Sequence, residues 1–223
     1  LSNSAAAAAV EYDWRSDFAD ATSVAPADAL DVALPADAAP GAHTLYLRYV
    51  DAASNRSAIA EVRTTYDITP PVIASATLGG AADGEVTAVA SPVGVPLQVL
   101  CVDDLASAGA LTLTLTDEGA APESIAAAPL VAVDLQGGGG PGTLAVRCVD
   151  PAGNASDASA LDYNIDANAP PADTNSLTIN GGDSHTPARS VILDLSLADD
   201  ADGTGIAGFA LANTAIDCET ANY

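Results

Sequence analysis

The feature that most constrains this chain is a stretch that occurs twice. Thr44-Leu-Tyr-Leu-Arg48-Tyr-Val-Asp51-Ala-Ala-Ser-Asn55-Arg-Ser57 returns as Thr143-Leu-Ala-Val-Arg147-Cys-Val-Asp150-Pro-Ala-Gly-Asn154-Ala-Ser156, every match displaced by 99 positions. Each copy runs through a second alternating segment into a proline pair, Pro70-Pro71 after Asp67 and Pro170-Pro171 after Asp166. A third match follows the prolines, where Ala76-Thr-Leu-Gly79-Gly80 is echoed by Leu177-Thr-Ile-Asn-Gly181-Gly182. Each glycine pair then leads to a run ending in two aspartates, Val95–Asp104 and Val191–Asp200. Three segments recurring in one order mean a tandem architecture.

One period spans residues 72–171. Residues 1–71 hold only the later part of a unit and residues 172–223 only the early part. Joined tail to head, the two flanks would make a second full unit. Within the period, Val, Ile, Thr and Leu alternate with small or polar residues, and the 18 Gly and 14 Pro of the chain fall largely between these runs. That pattern predicts an all-β fold of short strands and turns. The expected strands are Val72–Leu78, Val95–Val102, Ala110–Thr116, Pro129–Leu135, Gly142–Val149 and Ala158–Ile165, with a long loop between Glu118 and Pro129. The C-terminal flank is expected to add Leu177–Asn180, Ser190–Ala198 and Gly205–Ala212. Gly137–Gly140 reads as a flexible turn, because a phosphate cradle needs a following helix and a Lys. The half-units admit two readings. Either the chain is a piece of a longer array, or copies complete each other's halves by strand exchange between subunits. An isolated half would expose strand edges and half a core.

Composition excludes several partners. Thirty acidic residues stand against six basic ones, all Arg, for a formal charge of −24. Such a polyanion is repelled by nucleic acid and anionic lipid. No apolar run approaches the roughly 18 residues of a membrane helix. The chain is 49% hydrophobic, too apolar for a disordered one. It opens without Met or a basic leader, so Leu1 is expected to be a cut within a longer protein.

These segments resemble the bacterial immunoglobulin-like modules found in tandem in large secreted or surface-anchored proteins. The resemblance is carried by the junction Asp67-Ile-Thr-Pro70-Pro71. The early half Ile179-Asn-Gly-Gly182, Ser190–Asp199 and Gly203-Thr-Gly-Ile206 adds to it, as does the late half His43–Ser57. It covers most of the chain but not Ala5–Ala9. It implies immunoglobulin-like β-sandwiches, here one complete central module at 72–171 between two complementary half-modules, 1–71 and 172–223. It implies a secreted or cell-surface location and leaves the role open, since such modules serve adhesins, stalks, filaments and enzyme accessory regions alike.

In such a sandwich Cys101 and Cys148 would lie on facing strands, where an inter-sheet disulfide sits. A bridge closing a loop of that length would contribute about 4 kcal/mol in the chain-entropy model; two buried thiols are the alternative. The matching positions in the flanks hold Leu197 and Tyr49, so the position reads as core either way. Cys218 has no partner in view.

Asp51 with Asn55, and Asp150 with Asn154, read as hairpin turns. The Asp accepts backbone N–H groups, and the Asn takes the left-handed conformation that closes the turn. Calcium is the possible ligand elsewhere. Asp103, Asp104, Asp199, Asp200 and Asp202 end strands near the junction aspartates Asp67 and Asp166, and clustered short carboxylates suit a hard cation. Solvated acidic turns are the plainer reading. Catalysis finds no motif: His43 and His185 read as surface residues, and no nucleophile or metalloprotease signature is present. Trp14, with Tyr12 and Phe18, suggests either a sugar-binding platform or a local core cluster. The expectation is a non-catalytic extracellular structural or adhesive protein: a repeat segment or subunit of a surface filament, stalk or adhesin, whose copies would assemble head to tail by inter-subunit strand complementation. Its partners would be further copies of itself or adjacent modules. The alternative is an accessory region of a secreted enzyme that binds carbohydrate or protein.

Overall fold

Alternating sequence becomes strand where one face of a sheet can be buried. The computed structural model describes residues 7–82, 84–117, 119–172, 175–201 and 203–211. Asp202, Cys218, Ala212 and Ala5–Ala6 lie outside them. The chain divides into two compact units, Leu1–Pro70 with Pro151–Asn154, and Pro71–Asp150 with Ala155–Tyr223.

The first unit is one antiparallel sheet. Strands β1 (Ala9–Asp13), β2 (Thr22–Val24), β3 (Gly41–Val50) and β4 (Ala60–Tyr66) lie in the order β2-β1-β3-β4. Val10 stands opposite Tyr49, and Leu45 opposite Val62.

The second unit is a two-sheet sandwich of immunoglobulin-like class. It comprises β5 (Val72–Leu78), β6 (Ala81–Ala82), β7 (Thr87–Val89), β8 (Val95–Val102), β9 (Thr112–Asp117), β10 (Glu123–Ala126), β11 (Val131–Val133), β12 (Gly140–Val149) and β13 (Ser159–Ile165). One sheet has the order β10-β9-β12-β13-β7 and the other β11-β8-β5-β6. All pairings are antiparallel except β13 with β7. A separate hairpin follows, β14 (Ser176–Ile179) with β15 (Leu193–Ser196).

The core lies between the two sheets. In β8, Val95, Leu97, Val99 and Cys101 point inward while Pro96, Gln98, Leu100 and Val102 face solvent. They meet Leu113, Leu115, Leu144, Val146, Cys148, Leu161, Tyr163 and Ile165 of the facing sheet. Each such aliphatic side chain contributes about 1.5–3 kcal/mol when fully buried. Cys101 and Cys148 are joined by a disulfide, with Cα atoms 6.1 Å apart, so the thiol alternative does not hold.

Several expected elements are shifted. Glu123–Ala126 is a strand inside the segment expected to be loop; only Ile125 there is β-branched, and its pairing with Thr112–Leu115 makes it an edge strand. The expected strand at 129–135 shortens to Val131–Val133, and the one at 110–116 begins at Thr112, after a single 3-10 turn at Ala108–Ala110. Gly140, read as turn, opens β12. Residues 205–211 carry no strand pairing, although the repeat pattern predicts one. In the sandwich the equivalent strand, β9, is held between β10 and β12.

Candidate functional site

The repeat is reproduced in the backbone pairing. The order β2-β1-β3-β4 matches β10-β9-β12-β13. The pairs Val10–Tyr49 and Leu45–Val62 correspond to Leu113–Cys148 and Leu144–Leu161. At the turn entry, Ser57 N donates to Tyr49 O at 2.9 Å and Tyr49 N to Ser57 Oγ at 2.9 Å. Ninety-nine residues later Ser156 N donates to Cys148 O at 2.9 Å and Cys148 N to Ser156 Oγ at 3.0 Å. Each serine hydroxyl also donates to the next residue's carbonyl, Ala58 or Asp157. These serines were present in the matched strings, and their identity at both copies was the signal for a role that the strand pattern alone does not show.

Asp51 organises the first turn. Its Oδ1 accepts the N–H groups of Ala53 at 2.9 Å and Asn55 at 2.8 Å, and its Oδ2 accepts Asn55 Nδ2 at 2.8 Å. The Asn55 side-chain amide, then its backbone N–H, hold the Asp51 carboxyl below its ordinary value. The left-handed residue is not the Asn. It is Ser54, φ 69°, and at the matching position Gly153, φ 96°. Asn is free to use its amide because the preceding residue makes the bend. In the second copy Asp150 is buried, and Asn154, grouped with the first unit, donates its amide to the Asp67 carbonyl at 3.2 Å.

The junction and strand-end aspartates also hold turns. Asp67 Oδ1 accepts Thr69 N at 3.0 Å, just before Pro70 and Pro71, which carry no strand pairing, as do Pro170 and Pro171. Asp103 Oδ2 accepts Leu105 N and Ala106 N at 3.0 and 2.5 Å, and its Oδ1 is buried with no hydrogen-bond partner among the described residues. Asp104 is exposed. Within the second unit the fold brings Asp166 to the 199–205 segment. Thr204 N and Oγ1 both donate to Asp166 Oδ2 at 2.8 Å, and this bonding, backbone first, lowers the Asp166 pKa. Asp199 accepts Asp200 N at 3.0 Å and Gly205 N at 2.7 Å.

Two clusters were not foreseen. Glu11 on β1 accepts Arg48 Nε at 2.7 Å and Arg56 Nε at 3.1 Å; Arg56 foremost and Arg48 next lower its pKa. In the sandwich, Tyr163 Oη donates to Asp117 Oδ1 at 2.7 Å while Gln136 N donates to Asp117 Oδ2 at 2.5 Å. Both are long-range pairings, invisible to local pattern.

The aromatic residues do not make one flat platform. Trp14 Nε1 donates to Ala33 O at 2.9 Å, and its ring meets His43 edge-on at 6.2 Å. His43, expected on the surface, is half-buried between Trp14 and Tyr66. Phe18 instead lies beneath the Arg48 guanidinium at 4.0 Å. His185 is exposed beside Ser184 Oγ. An apolar groove of about 400 Å³ lies in the second unit beside Thr77, Gln98, Leu100, Ala108, Ala127 and Pro129.

No protein-family model matches the chain, and no curated protein matches it. One solved structure to which it is similar is that of the fibronectin(III)-like modules of Clostridium thermocellum CbhA, at 15% identity and a TM-score of 0.41, covering 74% of this chain and 81% of that one. The fold described above stands on its own strand pairing.

Proposed function

We propose that this chain is a non-catalytic, extracellular structural or adhesive protein, a repeat segment or subunit of a surface filament, stalk or adhesin. The observation that carries this reading is the doubled architecture. Two stretches 99 residues apart repeat the same strand order and the same serine-anchored turn. Duplication of a whole module extends reach rather than building a new site. Two further features support it. A core disulfide suits an oxidising compartment. The Pro-Pro junctions fix φ and remove donors between modules. The test is localisation and redox state in the source cells. The reading expects the protein in the surface or secreted fraction with Cys101 and Cys148 oxidised; an intracellular protein with both thiols reduced overturns it.

Calcium at the strand-end aspartates belongs to the same reading. Asp103, with one buried oxygen lacking a hydrogen-bond partner among the described residues, is the residue that supports it. Millimolar calcium is expected to raise the melting temperature, with reversal by chelator and loss of the effect in Asp103→Asn. An unchanged melting temperature removes calcium from the proposal.

A further inference from the structure

Part of one strand edge inside the complete sandwich is left open. β11 pairs with β8 only at Val133–Val95, Ala132–Pro96 and Val131–Leu97. Continued in the same register, the ladder would set Pro129 opposite Val99 and Ala127 opposite Cys101. Gly79 N donates to Pro96 O, so the even-numbered residues of β8 turn their backbone groups toward β5. Those of Val99 and Cys101 point the other way, to the β11 side. Pro129 has no N–H to give Val99 O, which ends the ladder there. Ala127 N donates instead to Leu111 O, at 3.0 Å. The backbone N–H and C=O groups of Val99 and Cys101 thus have no hydrogen-bond partner among the described residues.

The apolar groove of about 400 Å³ lies at this edge, lined by Val99, Leu100 and Cys101 with Ala108, Ala128 and Pro129. That volume falls within the range of ligand sites. The side chains of Val99 and Cys101 are buried in the core, so what these two residues offer the groove is main chain. Unpaired main-chain groups beside small apolar walls fit an occupant that brings main chain of its own, an extended segment. Charge selects its kind. No Lys or Arg stands between Arg63 and Arg147, and Asp103 and Asp104 follow β8 directly, in a chain of charge −24. A second copy of this chain, or any acidic segment, is repelled, and a basic one is attracted.

We propose that the β8 edge at Val99–Cys101 binds an extended, basic segment of another protein by strand addition. The segment lies antiparallel to β8, in the line that β11 abandons at Pro129. Its main chain exchanges hydrogen bonds with Val99 and Cys101, and alternate small apolar side chains enter the groove beside Leu100, Ala108 and Ala128. Because it runs opposite to β8, its first residues reach the Asp103–Asp104 end, and its Lys or Arg belongs there. Main-chain bonds supply affinity and the groove supplies selectivity.

The test uses the full chain in the presence of chelator. Hydrogen exchange followed by NMR comes first. The amides of Val99 and Cys101 are expected to exchange about tenfold faster, or more, than those of Gln98 and Leu100, which face β5. Protection of Val99 and Cys101 in the free chain means that the edge is already paired, and overturns the proposal. A phage-displayed library of linear dodecapeptides is then panned on the chain. The peptides expected carry Lys or Arg ahead of alternating small apolar residues, and slow exchange at Val99 and Cys101 when bound. Pro129→Val restores the missing donor, so β11 is expected to close its own edge and weaken the same peptides about tenfold, the worth of one hydrogen bond. Melting of the disulfide-bonded sandwich verifies that this variant folds; if it does not, the exchange measurements on the unmodified chain decide. Failure to enrich any peptide, enrichment of acidic ones, or binding that leaves the two amides unprotected overturns the proposal. So does equal binding by folded Pro129→Val. None of these failures touches the extracellular reading, which rests on localisation and redox state.

Discussion

At the scale of single residues, the buried polar cluster of the sandwich depends on one missing side chain. Tyr163 reaches Asp117 only because Gly142 leaves room for its ring; a Cβ at Gly142 would sit 2.4 Å from Tyr163 Cζ. Gly142→Ala is therefore expected to destabilise the second unit by about 1–3 kcal/mol through overpacking, read by chemical denaturation. The first unit depends instead on charge. Glu11 and Asp51 have folded-state pKa values below their ordinary 4.5 and 3.8, because Arg56 and Arg48 hold the former and Asn55 the latter. A depressed carboxylate binds fewer protons folded than unfolded. Its contribution is thus complete above the ordinary value and lost as pH falls through the lower folded one. Urea midpoints followed by Trp14, the single tryptophan, should fall as pH drops below about 4.5, and Glu11→Gln should reduce that dependence.

At the scale of the element, the two repeated hairpins offer an internal comparison. Their turns differ at the left-handed position, Ser54 in one and Gly153 in the other, at φ 69° and 96°. An L-residue in that region costs about 1–2 kcal/mol, which glycine avoids. Ser54→Gly is expected to raise the stability of the first unit by up to about 1 kcal/mol. Gly153→Ala is expected to lower stability by a similar amount; since no atom lies within 4 Å of an added Cβ, the loss would come from the backbone alone. Thermal melts of both variants check the pair, and equal signs would refute the equivalence. The strands themselves were legible where alternation was long: Val72–Leu78 and Val95–Val102 appear with the expected bounds. Glu123–Ala126 was not legible, because an alanine-rich edge strand owes its conformation to the ladder of β9 rather than to its own side chains. The turns were partly legible. Asp51 and Asn55 were identified from type and spacing, while the assignment of the bend to Ser54 needed the backbone.

At the scale of the whole molecule, the disulfide sets how far the sandwich can be drawn out. Cys101 and Cys148 are separated by 47 positions, all shielded from tension while the bond is intact. Reduction should lengthen the unfolded second unit by about 160 Å at roughly 3.3–3.6 Å per residue. It should also lower stability by about 2–5 kcal/mol. Single-molecule pulling with and without reductant measures the first, and denaturation measures the second.

The sequence by itself determined the all-β class, the module period and the likeness of the two late halves, because alternation, turn residues and duplication are local and repeat along the chain. Resemblance to secreted modules added the expectation of the Cys101–Cys148 bond. Tertiary structure decided what no window of sequence holds. It set the pairing of Glu11 with two arginines, the seat of Tyr163 on Asp117, and the edge strand at 123–126. It also decided which equivalent positions are enclosed: Cys148 and Leu161 are buried in the sandwich, while Tyr49 and Val62 are exposed. The reason is that burial belongs to a pair of surfaces: alternation marks a face as apolar, but only the arrangement of sheets determines whether another face meets it.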